Sequence, residues 1–230
     1  MHYHAYEMAH VMMAPARFFN SAFRAGLDMP LNPFSHTYPA RALSAACAVF
    51  ESLTRRYGKP EFAIHSIEID GQSVPVTQSI VQRRTFCNLL HFARAPLARS
   101  FETTPPVLLI APLSGHYATL LRGTVRDLLA HHDVYITDWV DARDVPLHEG
   151  DFGLDDFIDY LRDFISFVGR GAHVIAVSQP SVPALATTAL MAADNAPFRP
   201  ASLTLIGGPI DTRISPTVVN RLAQQQSLTW

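Results

Sequence analysis

Lysine is almost absent from this chain of 230 residues: Lys59 stands alone, and arginine carries nearly all the basic charge. Cysteine is scarce too. Cys47 and Cys87 are the only two, far apart and in no C-x-x-C pair, which leaves room for one disulfide but favours two reduced, partly buried thiols. No apolar run is long enough to span a bilayer, and histidine interrupts the first residues before any basic segment or apolar core develops. The sequence therefore predicts no transmembrane segment, no signal peptide and a cytoplasmic protein. Neither sign of charge dominates. A formal net charge of −2 offers no footprint for nucleic acid and no polybasic membrane anchor. G-x-G-x-x-G and phosphate-loop patterns are missing, so nucleotide chemistry is unsupported.

What is present reads as one α/β protein of ordinary soluble composition, long enough to bury a substantial core. Residues 1–60 read as an N-terminal helical segment: a helix to about Gly26, interrupted at Pro15, then a second from Arg41 to Tyr57. Residues 61–230 read as the sheet-containing core. A pair of strands turns at Gly71, Pro75 places the second of them at a sheet edge, and Phe86 to Ala93 forms another. From Pro106 four short apolar strands (Pro106 to Ala111, Val134 to Val140, His173 to Val177, Ser202 to Ile206) alternate with helical stretches. That alternation predicts a mostly parallel sheet covered by helices on both faces.

The chemistry-bearing stretch is HVIAVSQPSVPALATTALMAA, residues 173–193, where a strand runs through Ser178 into a helix. This is the layout of a nucleophile elbow, a sharp strand-to-helix turn that lifts one side chain clear of a buried sheet. A hydroxyl there sits beside the unpaired N–H groups of a helix's first turn, which can stabilise the anion formed when an ester is attacked. The flanking glycines of the usual G-x-S-x-G pattern are replaced by Ala176 and Pro180, so the motif alone is equally that of a small residue at a tight junction. The loop after the first strong strand, LIAPLSGHYATLLRG, is where a sheet hydrolase supplies its second oxyanion donor. Alignment on the strand points to the N–H of Leu113, with that of Gln179 as the other donor and Ser114 and His116 as lining residues. His2, His4 and His10 read as histidines scattered on a helix, and the acids from Asp138 to Asp151 as a solvated loop, so no metal site is expected.

A hydroxyl nucleophile needs a base, and the base needs an orienting acid. After Ser178 the chain offers Asp194 and Asp211 but no histidine. The last histidine, His173, falls at the far end of the serine's own strand.

The stretches LNPFSHTYPAR, TRRYGKPEF, LIAPLSGHYATLLRGTVRDLL, HDVYITDWVDARDVPL, HVIAVSQPSVPALA and LIGGPIDTRISPTVVNRLA together resemble the intracellular polyhydroxyalkanoate (polyhydroxybutyrate) depolymerase family, from one end of the chain to the other. The resemblance implies an α/β-hydrolase fold acting on the amorphous polyester of storage granules, with no bound cofactor. Water would be the acceptor, or coenzyme A by thiolysis. Two departures stand out. The family usually carries cysteine where Ser178 stands, and its members are longer, with acid and histidine in a C-terminal portion. The resemblance thus implies the N-terminal portion of a polyester hydrolase, granule-associated, inactive alone, and of open oligomeric state. A granule-binding protein without catalysis and an acyltransferase related to polyester synthases are the alternatives.

Overall fold

The computed structural model describes residues 2–95, 104–113 and 117–227. It divides into two compact units, Met1–Lys59 and Pro60–Trp230. The first is helical: α1 (His2–Met12), α2 (Ala14–Leu27) and α3 (Tyr38–Thr54). The interruption expected at Pro15 falls at Met13, between α1 and α2, and Pro15 lies in the first turn of α2, where a missing N–H costs no helical bond. For the same reason α3 starts earlier than its apolar pattern suggests, with Pro39 in its first turn. Asn20 of α2 donates to the Cys47 carbonyl of α3 at 2.9 Å, and Arg24 reaches Glu51 at 3.4 Å. Cys47 is buried in this unit, and Cys47 and Cys87 are not joined by a disulfide.

In the second unit the described residues form one seven-stranded sheet: β1 (Ser66–Ile69), β2 (Gln72–Arg83), β3 (Cys87–Arg94), β4 (Pro106–Ile110), β5 (Asp133–Trp139), β6 (His173–Val177) and β7 (Ser202–Ile206). The spatial order is β1-β2-β3-β5-β4-β6-β7. Neighbours are antiparallel from β1 through to β5 and parallel from β5 through to β7. Four consecutive residues of β4, from Val107 to Ile110, are buried, as expected of a strand covered on both faces. Removing each such side chain from water contributes about 1.5–3 kcal/mol before the entropy cost of ordering it.

Pro75 is not at a sheet edge. β2 pairs with β1 through Gln72–Pro75 and with β3 from Val76 onward, so the proline sits where the strand changes partners. Its carbonyl accepts from Ala95 on the β3 side, and its absent donor faces that same side, just past the end of the ladder. A strand that exchanges neighbours half-way can thus hold a proline internally.

Among the described residues four α-helices complete the unit: α4 (Arg122–Leu129), α5 (Leu154–Val168), α6 (Ser181–Ala193) and α7 (Val218–Gln224). α5 is the most clearly amphipathic. It buries Phe157, Leu161, Phe164 and Ile165, and the Gly153 N–H at its start donates to the Asp156 carboxylate at 2.7 Å. The β4–α4–β5 connection steps across the sheet in one direction, whereas β5–α5–β6 and β6–α6–β7 step in the other. Right-handed crossovers then place α4 on one face and α5 with α6 on the opposite one, and α5 does pack against α6. Both parallel neighbours of β4 therefore send their connections away from α4. A crevice opens on either side of the loop that follows β4, at the carboxyl ends of the strands.

At the opposite end of the sheet, His91 Nε2 lies 2.6 Å from Asp133 Oδ1 and its ring stacks on Tyr135, 4.4 Å between centroids. Burial, and then the charge and hydrogen bond of Asp133, push the Tyr135 phenol up to about 12. Because this folded value lies above the ordinary one near 10, Tyr135 contributes stability that is complete below about pH 10 and is lost as pH rises toward 12. An absorbance titration of the folded protein should show one tyrosine lagging the rest. Tyr135→Phe should flatten the fall in urea midpoint across that window; an unchanged slope would contradict this account.

Candidate active site

Ser178 occupies the turn between β6 and α6 with φ +65°, in the left-handed region that an L-residue other than glycine enters only under constraint. The constraint is visible in its backbone. Its N–H donates to the Ile206 carbonyl of β7 at 2.7 Å, and its own carbonyl accepts from Ser181 at 3.1 Å. Pinned at both ends, the residue holds its side chain exposed above the sheet while Ala176 and Ser181 beside it are fully buried. Strain of this type, of order 1–3 kcal/mol, persists only where neighbouring structure over-determines it.

The second element is the loop after β4. Ile110 pairs with Ala176, so continuing that register brings Pro112 level with Ser178 and Leu113 one residue beyond. Adjacent strands lie about 4.8 Å apart, which brings the two loops within reach of one small ester group. Two side chains of β5 set the start of this loop. Thr137 Oγ1 accepts from the Ala111 N–H at 2.9 Å, and the Trp139 indole N–H donates to the Ala111 carbonyl at 2.8 Å. Both polar groups of one peptide residue are thereby fixed two residues before Leu113. The N–H groups of Leu113 and Gln179 have no acceptor among the described residues, as an oxyanion site requires of its donors. Ser114 and His116, the remaining expected lining residues, lie outside the described residues.

Thr137 and Trp139 were not legible as site residues, since their role depends on an adjacent strand far along the chain. Thr137→Val keeps the shape but leaves a buried Ala111 N–H without its acceptor. The expected cost is about 1–3 kcal/mol, read as a lower urea midpoint at an unchanged slope.

No described histidine bonds the Ser178 hydroxyl. His173 begins β6 and meets Ser202 Oγ at 2.7 Å, at the far end of the strand from Ser178. The His91–Asp133 pair belongs to that far end as well, since Asp133 begins β5. His148, in a short 3-10 turn after β5, is exposed and lies 3.8 Å from Glu149. The acids that follow Ser178 are also engaged elsewhere. Asp194 caps the distal end of α6 and pairs with Arg162. Asp211 is held below the usual carboxylate range by the Arg213 guanidinium and then by the Arg213 N–H. Among the described residues no three of His, Cys, Asp or Glu converge as metal ligands, and no helix is long and apolar enough to cross a membrane.

On the other side of the β4 loop, over the end of β5, lies a cavity of about 710 Å³. Leu113, Trp139 and Phe152 line it together with residues of the acid-rich loop after β5. Of the acids read from sequence as a solvated loop, Asp141 and Asp151 thus border a concave space. Asp138 lies on β5 itself and is 5% exposed.

No protein-family model matches the chain, and no curated protein matches it in sequence. Solved structures with a similar arrangement include naproxen esterase from Bacillus subtilis, at 18% identity over 56% of this chain and 42% of that one, TM-score 0.39. An α/β-hydrolase enzyme from the metagenome of Lake Arreo, Spain, is 17% identical over 91% of this chain and 63% of that one, TM-score 0.42. A hyperthermophilic esterase from the archaeon Pyrobaculum calidifontis is 17% identical over 89% and 61%, TM-score 0.45. The chain therefore spans between 42% and 63% of the length of these three structures. The mixed sheet, parallel through β5-β4-β6-β7 with helices on both faces and a helical unit preceding it in the chain, is an α/β fold.

Proposed function

We propose that this chain carries the nucleophile and oxyanion half of a carboxylic-ester hydrolase acting on polyhydroxyalkanoate. The observation that carries ester cleavage is Ser178 held at φ +65° on the β6–α6 turn, with two backbone donors nearby that have no acceptor among the described residues. Its Oγ attacks the ester carbonyl carbon, and the N–H groups of Gln179 and Leu113 receive the developing oxyanion. The alcohol end of the chain then leaves, and water releases the acyl group from the serine. A base must accept the serine proton in the first half and return it to the leaving oxygen. No described residue is placed to do this, and the sequence resemblance assigns acid and histidine to a C-terminal portion. The same resemblance supports the polyester substrate, water or coenzyme A as acceptor, and a location on storage granules.

The test is made on the polypeptide isolated from its native source, incubated with amorphous polyhydroxybutyrate granules and with short 3-hydroxybutyrate oligomers. Release of soluble 3-hydroxybutyrate units is the expected result. Sedimentation with granules and no product would instead favour a non-catalytic binding protein. Growth of polymer from 3-hydroxybutyryl-CoA would favour an acyltransferase.

A further inference from the structure

We propose that the cavity over the carboxyl end of β5 is a subsite for an uncharged polyester segment, one that discriminates against carboxylate-ended chains and anionic acceptors. The inference rests on the ester-hydrolase reading above and specifies what that site accepts.

Position comes first. The cavity shares Leu113 with the oxyanion loop and lies across β4 from Ser178. Two strand spacings separate the ends of β6 and β5, about 10 Å, so a chain whose carbonyl rests between Ser178 and Leu113 reaches the cavity with its next repeat units. A volume of about 710 Å³ falls within the span of small-molecule sites.

The walls supply the chemistry. Phe86 and Phe152 pack with ring centroids 5.0 Å apart, and Phe152 meets Trp139 edge-on at 5.7 Å, giving a continuous aromatic surface. The Trp139 N–H is already committed to Ala111, so the indole offers the cavity an apolar face rather than a donor. Such a surface suits the methyl and methylene groups of a neutral polyester.

Charge supplies the selectivity. Among the described residues, the ionic side chains of the lining are Asp141, Arg143 and Asp151. Arg143 grips Asp141 with Nε, 3.0 and 3.1 Å from the carboxylate oxygens, and with a terminal guanidinium nitrogen, and Asp151 forms no ion pair among the described residues. The described lining is left with one net negative charge and a guanidinium already occupied by its own neighbour. A free carboxylate, such as the end of a released product, meets repulsion there, as do the phosphates of coenzyme A. An internal segment of polymer does not. The subsite therefore binds chain and sheds product.

Tryptophan fluorescence reads this without turnover. Trp139 and Trp230 are the only tryptophans, so the Ser178→Ala, Trp230→Phe protein reports from the cavity wall alone. A 3-hydroxybutyrate trimer capped as its methyl ester should shift the Trp139 emission saturably. The free-acid trimer should bind about five-fold more weakly at pH 7, and coenzyme A should cause no saturable shift. Leu147 lines the rim and is 98% exposed, so Leu147→Arg adds a cation there without disturbing the core. That variant should raise free-acid affinity about five-fold and leave the ester's nearly unchanged. Equal affinity for ester and acid, indifference of the acid to Leu147→Arg, or no saturable shift would overturn the proposal. Hydrolysis by the native protein with no Trp139 response would sink the subsite and leave ester cleavage standing. A Trp139 response with no hydrolysis would do the reverse.

Discussion

Ser178→Ala should remove ester cleavage from the native protein, by on the order of 10⁴-fold or more, while leaving the fold intact. The residue is exposed, and its role in the fold runs through its backbone, whose N–H and carbonyl bonds to Ile206 and Ser181 alanine makes equally well. Alanine also suffers the same strain at φ +65°. Ser178→Gly separates chemistry from strain, because glycine enters the left-handed region without the Cβ penalty of about 1–2 kcal/mol. Both variants should be inactive, and the glycine variant should unfold at a higher urea concentration than the alanine one. Ser178→Cys should retain cleavage, since a thiolate is the stronger nucleophile and the turn positions Sγ as it positions Oγ. Undiminished turnover by the alanine variant would sink the nucleophile assignment. A glycine variant no more stable than alanine would instead remove the argument that the turn is strained.

The parts of the molecule that were legible in the sequence are those specified by consecutive residues. β4, β6 and β7 are continuous or near-continuous apolar runs, and the acids at Asp155 and Asp156 open an amphipathic helix over Leu154–Val168, so pattern and structure agree closely there. Ser178 was legible for the same reason: strand, small polar residue and helix follow one another directly. What escaped the sequence is specified across strands. The partner change at Pro75 depends on where β1 ends, and the fixing of Ala111 depends on Thr137 and Trp139 of the neighbouring strand. No histidine follows Ser178 in the sequence, and no described histidine bonds its hydroxyl. The missing elbow glycines belong to the cross-strand class, and their replacement leads to the second large effect.

Gly208→Ala should destabilise the protein severely and displace Ser178, the proposed nucleophile. A Cβ built on Gly208 would fall 2.1 Å from both Cβ and Oγ of Ser181, and 3.1 Å from the Ser178 carbonyl oxygen. Carbon atoms in contact prefer about 3.5–4.0 Å, so more than an ångström of movement is needed. Rotating a side chain cannot supply it: Ser181 is fully buried, and its Cβ moves only with the backbone of the first turn of α6. Either that turn or the loop after β7 must shift, and both carry bonds that pin Ser178. Gly208 therefore provides, from the adjacent strand's loop, the close approach of helix and sheet for which a hydrolase elbow usually carries its own glycine. Overpacking of this severity is expected to cost about 3 kcal/mol, at the upper end of the usual range. The variant should melt well below the parent and lose most of its ester cleavage even where it remains folded. Because outright unfolding would explain both losses, the deciding measurement is the double variant. Ser181→Gly removes the two atoms that clash, so Ser181→Gly with Gly208→Ala should recover stability and activity relative to Gly208→Ala alone, giving a coupling of the sign a direct contact requires. Additive losses would mean that Gly208 acts through its own backbone and not through the space it leaves for the turn that holds Ser178.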